Sequence, residues 1–420
     1  MGGSSRPSLR RAFVSLKSRD FRLLFFSMLA AMTAMNVQML ARAWLAYELT
    51  GSFAMVGVIS ISFGIPMLLF SLIGGATADR MDKRNLIIVT QFGSGVLALA
   101  TAVMITTGVI DADQRLSIPI LFAMGLLHGT LMAFQMPPRQ AMIAELVPEH
   151  QLMNAFAINA AGMSLSRMIA PVAVGVMIAT LGVHSAYYLQ AMMLLVTLVF
   201  MAMLPKSTSH LAGAAARGSM LHEITAGLRY VAHDRTLLLL MFMGTVPMTL
   251  GFSHQVLLPG FVVDELGLPA TAYGLIGTIS GVGAVVGSFA IASLTEFPRK
   301  PLLQMVAGIG FGLGLVLMGV ASKAFGFSGA LGGVIVLGLF MNSYMTLNTT
   351  MVMTQTRPEY YGRVMSIFMQ TWALRPLMTL PMGIVADEIT DSSTFALLGV
   401  AIVGFIAYAV LTGLIFALLR

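Results

Sequence analysis

The sequence predicts an all-α integral membrane protein with about twelve transmembrane helices arranged in two six-helix bundles. Of its 420 residues, 57% are hydrophobic and only 10% are charged, whereas an average soluble domain has about 25% charged residues. The apolar residues form runs of roughly 20, the length that an α-helix needs to cross a hydrocarbon core of about 30 Å. A long polar interval near the middle of the chain divides these runs into two equal sets.

The apolar runs end at glycine, proline or charged residues, which set the limits of the predicted spans. The first set lies at about 21–47, 53–78, 85–107, 117–137, 153–180 and 184–204. The second set lies at about 237–263, 270–294, 301–321, 327–354, 363–386 and 395–419. This division assigns Arg139 to the loop after the fourth span. Basic residues then fall almost entirely on one side, so the positive-inside rule places both termini in the cytoplasm of a multi-pass plasma-membrane protein.

The polar interval 205–236 is expected to be a cytoplasmic linker between an N-terminal bundle (residues 1–204) and a C-terminal bundle (residues 237–420). Its later part predicts a short amphipathic helix on the inner membrane face, since four apolar residues recur at helical spacing: Leu221, Ile224, Leu228 and Val231. Landmarks of the first half, such as Lys83-Arg84, reappear about half a chain later as Arg299-Lys300. Two parallel repeats of this kind place a substrate site between them near the bilayer midplane.

One dense polar patch interrupts the apolar sequence after the second span, with five charges in the six residues from Asp79 to Arg84. Long apolar flanks on both sides predict a very short loop on the membrane surface. The patch resembles the signature of the major facilitator superfamily, which is matched here by Gly75, Asp79, Arg80, Lys83 and Arg84.

The resemblance implies that this patch is a gating latch on the cytoplasmic side. Asp79 would face the start of the eleventh helix near Gly362 and Arg363, where a carboxylate meets the positive end of the helix macrodipole. The basic residues would hold the adjoining helices. Asp82 stands where the family has a turn glycine, and we expect it to adopt a left-handed turn.

Three further segments resemble the same superfamily. In the fifth span, Pro171 and Gly175 match a gating motif of its antiporters, while Ala170 and Val174 replace two of the motif's glycines. The segment 44–52 that closes the first span, and Tyr361-Gly362-Arg363-Val364 at the start of the eleventh, are similar to siderophore and macrolide exporters. The resemblance implies a transporter of two six-helix bundles.

Three arginines remain inside predicted spans: Arg42, Arg167 and Arg375. A charge within the membrane is costly and therefore marks a functional candidate. The three would line an electropositive cavity for substrate. The structural alternative applies to Arg167 and Arg375, which could instead donate hydrogen bonds to carbonyls freed at the neighbouring Pro171 and Pro376.

Other polar residues within the spans are also candidates for substrate binding: Asn36, Gln38, His128, Asn159, His254, Asn342, Asn348, Gln370 and Trp372. Each could instead bond a neighbouring helix, an interaction worth about 0.6 kcal/mol on average. Either histidine could also carry a coupling proton, because histidine titrates near neutral pH.

The sequence thus predicts a monomeric secondary transporter, with proton coupling implied by the resemblance, that exports an amphipathic or hydrophobic small molecule. An importer, or a lysolipid-type flippase for an anionic or zwitterionic substrate, remains an alternative. We expect no cofactor, no metal and no nucleic-acid partner: the net charge of +7 is scattered through loops. A membrane-embedded enzyme lacks a catalytic cluster within the spans, and a receptor-like sensor lacks a large soluble domain.

Overall fold

A computed structural model describes residues 15–148, 151–205, 220–294, 297, 299–357, 360, 364–365, 367–368, 374–389, 395 and 400–406. Within these ranges the chain consists of helices and short connections, without a strand. Nine helical segments of the described part are long and apolar enough to cross a membrane. The prediction of an all-α membrane fold is therefore confirmed.

The first half contains six long helices, α1 to α6: Arg19–Thr50, Phe53–Arg80, Lys83–Thr106, Ser117–Leu146, Leu152–Leu181 and Val183–Ala202. Local sequence explains the tight connection between the first two. Gly51 ends α1 in the left-handed conformation (φ 60°), and its N–H bonds to the Tyr47 carbonyl. Ser52 then caps α2 by accepting a hydrogen bond from Met55 N at 3.3 Å.

The second half begins with α7 (Met220–His233), which covers the later part of the linker predicted from the sequence. Further α-helices with both ends among the described residues, α8 to α12, are Arg235–Phe252, His254–Gly260, Ala270–Ser293, Lys300–Gln355 and Thr379–Ile389. The 56-residue α11 contains the predicted ninth and tenth spans, which meet at a non-helical Gly326 (φ 58°).

Two predicted spans of the second half are broken rather than continuous. The seventh span is interrupted at Ser253, and α9 is followed by a π-helical turn, Phe261–Glu265. The eleventh span has a 3-10 turn at Arg375–Met378 before α12. Proline explains the second break, because Pro376 cannot donate to the preceding turn.

The polar patch expected to be a loop is mostly helical, which corrects the sequence prediction. Helix α2 continues through Arg80, and only Met81 and Asp82 connect it to α3. Asp82 does not adopt the expected left-handed turn. Its φ is −59° and its ψ is 112°, because it caps α3 by accepting a hydrogen bond from Arg84 N at 2.9 Å.

The assignment of Arg139 to a loop is also wrong. Helix α4 extends nine residues beyond the predicted span, to Leu146, and carries Arg139 into the bundle with 3% of its surface exposed. The apolar run ended at Pro137 and Pro138, but both prolines lie inside the helix.

Helices of one half pack on each other, and several pairs join the halves. Within the first half, α2 packs on α4, and α6 packs on both α1 and α3. Between the halves, α5 packs on α10 and α2 packs on α12. We call the end of the molecule that carries the α1–α2 turn the Gly51 end, and the opposite end, where α3 begins, the Lys83 end.

Candidate functional site

The contact between α5 and α10 depends on glycines and on Pro171. A Cβ added to Gly274 would lie 2.4 Å from the Pro171 carbonyl oxygen, and one added to Gly175 would lie 2.8 Å from the Gly274 Cα. Only glycine allows the two backbones to approach this closely. The Thr278 hydroxyl donates a hydrogen bond to the Met168 carbonyl at 2.9 Å. The fifth-span motif predicted as gating therefore lies at a contact between the two bundles.

The second contact, between α2 and the eleventh span, is equally close. A Cβ on Gly57 would lie 2.6 Å from the Leu380 Cα, and one on Gly383 would lie 2.4 Å from the Phe53 carbonyl oxygen. Nearer midspan, a Cβ on Gly64 would meet the Pro376 ring at 2.7 Å. The two helices therefore run antiparallel, with small residues forming the interface.

A third set of contacts joins α1 to the second half. The Tyr47 hydroxyl donates to the Asp264 carboxylate, and the Tyr273 hydroxyl donates to the Leu40 carbonyl at 3.3 Å. The Trp44 and Tyr273 rings also pack, with 5.3 Å between centroids. The contacts of all three sets lie between midspan and the Gly51 end, so the bundles are held together at that end.

Arg167 and Arg375 belong to opposite bundles and lie near each other at midspan. Arg375 is within electrostatic range of Arg167, and the Arg375 guanidinium lies 5.7 Å from the centre of the Phe252 ring. Two like charges brought together create a positive potential that an anion would reduce. Of the three predicted arginines, these two lie between the bundles, and their role in substrate binding stays a prediction.

The structural alternative for Arg167 finds little support. Proline at 171 frees the carbonyl four residues earlier, which is that of Arg167 itself, and Gly281 of α10 packs against this carbonyl. Thr278 occupies the neighbouring Met168 carbonyl. Within the described part of the chain, the exposed Arg167 guanidinium has no hydrogen-bond acceptor. Helix α10 thus supports the break, which leaves the side chain available.

Arg42 lies inside the N-terminal bundle rather than between the bundles. Its guanidinium lies 4.7 Å from the centre of the Phe63 ring, a cation–π contact. His128 packs on the same ring with 6.0 Å between centroids, and Tyr187 is within electrostatic range of Arg42. The Nη1 atom of Arg42 is buried without a hydrogen-bond partner among the described residues. The sequence prediction grouped Arg42 with the other arginines, but tertiary packing separates them.

A buried polar cluster nearer the Lys83 end of the same bundle was missed by sequence reasoning. The Arg139 guanidinium donates to the Gln91 side-chain oxygen at 2.6 Å and to the Gln135 oxygen at 3.4 Å. Gln135 in turn donates to the Ser94 hydroxyl at 2.9 Å. Three helices, α3, α4 and α6, contribute to this cluster, because Gln190 also lines it.

The Arg139 cluster contains buried atoms without hydrogen-bond partners in the described part of the protein: Arg139 Nε, Gln91 Nε2 and Gln190 Oε1. An adjoining cavity of about 10 Å³, also lined by His128, is large enough for about one water molecule. The spacing of Gln135 and Arg139, four residues apart on one helix face, was a signal that sequence analysis did not use.

The remaining polar candidates mostly bond to helices. Asn342 donates to the Ser288 hydroxyl at 2.6 Å, and Asn348 donates to the Leu240 carbonyl at 3.0 Å. Asn36 bonds within its own helix, to the Met32 carbonyl at 2.9 Å. His254 contacts the Gly251 carbonyl, Asn159 contacts the Met163 sulfur, and Gln38 is buried. A substrate contact at any of them stays a prediction, and Gln370 and Trp372 lie outside the described residues.

At the Lys83 end, the basic residues of the family signature hold the helices of one bundle together. Lys83 forms an ion pair with Glu145 of α4. Arg84 donates to the Met201 and Ala202 carbonyls at 3.1 Å and 2.6 Å, which satisfies the C-terminus of α6. The packing around Gly75, the side chains of Asp79 and Arg80, and all of Gly362 and Arg363 lie outside what the structure describes. Their gating roles stay predictions.

Comparison with known protein families shows which family the chain belongs to. Residues 10–418 match the family model described as transmembrane secretion effector. The chain belongs to this family of major facilitator transporters. The predicted superfamily resemblance, made from a few motif residues, is thereby confirmed over nearly the whole chain.

The curated relatives of this family member include transporters of siderophores and macrolides. It is 23% identical to the staphyloferrin A transporter of Staphylococcus aureus, over 82% of this chain and 84% of the relative. It is 24% identical to the enterobactin exporter EntS of Citrobacter koseri, over 86% and 80%. It is 20% identical to the macrolide efflux protein A of Streptococcus pyogenes, over 92% and 95%.

A solved structure supports the same fold. The crystal structure of the nucleoside transporter NupG superposes with a TM-score of 0.70 at 12% identity, covering 94% of this chain and 98% of that one. At this identity the likeness establishes the fold alone. The protein is therefore a multi-pass membrane transporter of the major facilitator fold that acts on a small molecule.

Proposed function

We propose that the protein is a secondary active exporter of an amphipathic small molecule that carries negative charge, such as a siderophore-like carboxylate or catecholate. The observation that carries the proposal is the approach of Arg167 and Arg375 from opposite bundles at midspan. Two parallel bundles place their substrate site at this level. An anion bound there would relieve the repulsion between the guanidinium groups, and an apolar part of the same molecule would pack against the surrounding residues.

The relatives support export of such a molecule. One is an enterobactin exporter and another a staphyloferrin A transporter. We further propose that the protein works as a monomer in the plasma membrane with both termini cytoplasmic, and that protons drive it as an antiporter. The positive-inside argument and the superfamily resemblance support these points. The closed contacts at the Gly51 end fit one state of an alternating-access cycle.

The test begins with binding to purified protein. A panel of anionic siderophores, neutral macrolides and zwitterionic lysolipids is screened for thermal stabilisation, because a ligand that binds only the folded state raises the melting temperature. We expect anionic compounds to stabilise the wild-type protein. Arg167→Gln and Arg375→Gln should weaken the binding of anions about tenfold or more, since hydrogen bonds to charged groups contribute about 1.5–3 kcal/mol. The binding of neutral compounds should change little.

Arg115→Gln is the matched control, because it removes one positive charge from an exposed connection. Equal weakening of all compounds in the two variants, together with a large drop in melting temperature, would contradict the proposal. Direction is then measured in everted vesicles with the best ligand. Uptake into everted vesicles that depends on a proton gradient indicates export.

The alternative is an importer or lysolipid-type flippase on the same fold, and the electropositive midspan site also suits it. It predicts stabilisation by lysolipids and movement toward the cytoplasmic face. The same two measurements therefore separate the candidates.

A further inference from the structure

At the Gly51 end, a carboxylate from one bundle caps a helix of the other. Asp387, near the C-terminus of α12, accepts hydrogen bonds from the Ser52 hydroxyl at 2.6 Å, Phe53 N at 2.6 Å and Ala54 N at 3.0 Å. The first N–H groups of a helix have no partner within it, and the positive end of the helix macrodipole favours an anion. Asp387 thus satisfies the N-terminus of α2 across the boundary between the bundles.

The sequence around Asp387 repeats the pattern that ends α2. Gly383-Ile-Val-Ala-Asp387 and Gly75-Ala-Thr-Ala-Asp79 share glycine, alanine and aspartate at the same three positions. The two segments lie at the C-terminal ends of helices that pack antiparallel, so the patterns are at opposite ends of the pair. Close packing requires glycine at position 383, because a Cβ there would lie 2.4 Å from the Phe53 carbonyl oxygen.

We infer that Asp387 is the latch that closes the Gly51 end of the transporter, holding the two bundles together by capping α2. The inference rests on the proposed alternating-access function. Bundles that rock about midspan must break these three hydrogen bonds whenever the Gly51 end opens. The capping groups then exchange the carboxylate for water, so the strength of this cap sets the balance between closed and open forms.

Two neighbouring features fit this role. Water can reach the latch, because a cavity of about 220 Å³ adjoins Asp387 and is also lined by Tyr47, Asp264 and Glu265. The Tyr47–Asp264 hydrogen bond beside the cavity is a second connection between the bundles. The other contacts between the bundles are close glycine packing, as at Gly57 and Gly383, and hydrogen bonds from single hydroxyl groups to backbone carbonyls, such as Tyr273 to Leu40 and Thr278 to Met168.

The test measures the opening of the Gly51 end directly. The chain has no cysteine, so single cysteines at Gln114 and Ala324, exposed residues of opposite bundles at this end, can carry spin labels. Double electron–electron resonance in nanodiscs then gives the distance distribution between them. In the otherwise unaltered chain we expect the short distance of the closed form to dominate.

Asp387→Asn should raise the ratio of long to short distances about tenfold, because an amide acceptor bonds N–H groups more weakly than a carboxylate does. Ser52→Ala, which removes one of the three donors and the serine cap, should produce a smaller shift in the same direction. Glu388→Gln is the matched control. It removes the adjacent, exposed carboxylate and should leave the distribution unchanged.

Asp79→Asn removes the same charge from the same pattern at the other end, and it should not raise the long-distance population. An Asp387→Asn distribution equal to that of Glu388→Gln would overturn the inference, as would an equal rise in Asp79→Asn. The measurement needs no substrate. Absence of export in vesicles together with a shifted Asp387→Asn distribution would therefore reject the proposed function and keep the latch.

Discussion

The two bundles fill their interiors in different ways. In the first, buried space is occupied by hydrogen-bonded polar side chains: Arg139, Gln91, Gln135 and Ser94 form one network across two helices. In the described part of the second, glycines let aromatic rings into the core. A Cβ on Gly251 would lie 1.9 Å from the Phe311 ring, and one on Gly310 would lie 2.5 Å from the Phe340 ring.

The two halves also differ in how continuous their described spans are. The seventh and eleventh spans of the second half are interrupted, whereas α1 to α6 are continuous. Hydrogen bonds between helices also occur in the second half, at Asn342 and Asn348 for example, but these are local contacts rather than one network. A polar network fixes the relative positions of its helices, because every displaced partner leaves a buried group unsatisfied. We therefore expect the first bundle to be the more rigid of the two, with helix shifts concentrated at the breaks of the second.

The largest expected effect is in the second bundle. Phe311→Ala removes a fully buried ring that packs against Gly251, and we expect a loss of about 3–5 kcal/mol of stability from lost burial and the remaining cavity. Thermal melting of purified protein measures it. Phe325→Ala, at a ring that is 72% exposed, is the control and should change stability by less than about 0.5 kcal/mol. Similar losses in both variants would mean that Phe311 is not a core anchor.

An intermediate effect is expected in the first bundle. Arg139→Ala leaves the Gln91 and Gln135 oxygens without their donor, which should cost about 3 kcal/mol. Arg139→Met should recover much of this stability by filling the volume, and yet leave transport defective if the network fixes the helices for function. Melting temperature and vesicle transport of both variants give the answer. Full transport by Arg139→Met would limit the network to a structural role.

The smallest effect tests a contact between helices of the second bundle. Asn342→Ala removes the hydrogen bonds to Ser288 and the Ala284 carbonyl. We expect a loss of about 0.6 kcal/mol, the average for such bonds in membranes, and normal transport. Thr350→Ala, at an exposed hydroxyl on the same helix, is the comparison. Loss of transport without loss of stability would instead place Asn342 in the substrate pathway.

The sequence by itself determined the membrane class, most span positions and the superfamily. These depend on run length and on a local signature such as Gly75 to Arg84, both of which are visible without folding. It also singled out Arg167 and Arg375 as candidates, because a charge inside an apolar run is visible as a violation of the local pattern. It placed Arg139 outside the fourth span, because Pro137 and Pro138 resemble the end of a helix.

Only the tertiary structure decided which polar residues meet. Arg42 and Arg139 are almost a hundred positions apart, and Phe63 and Gln91, which they contact, come from other helices whose rotation the sequence does not fix. The same holds for Asp387 and Ser52, which are 335 positions apart. From the sequence, Asp387 is simply a carboxylate at a span end. It becomes an acceptor for α2 because the packing of glycine against backbone brings two antiparallel helices close enough for one to cap the other.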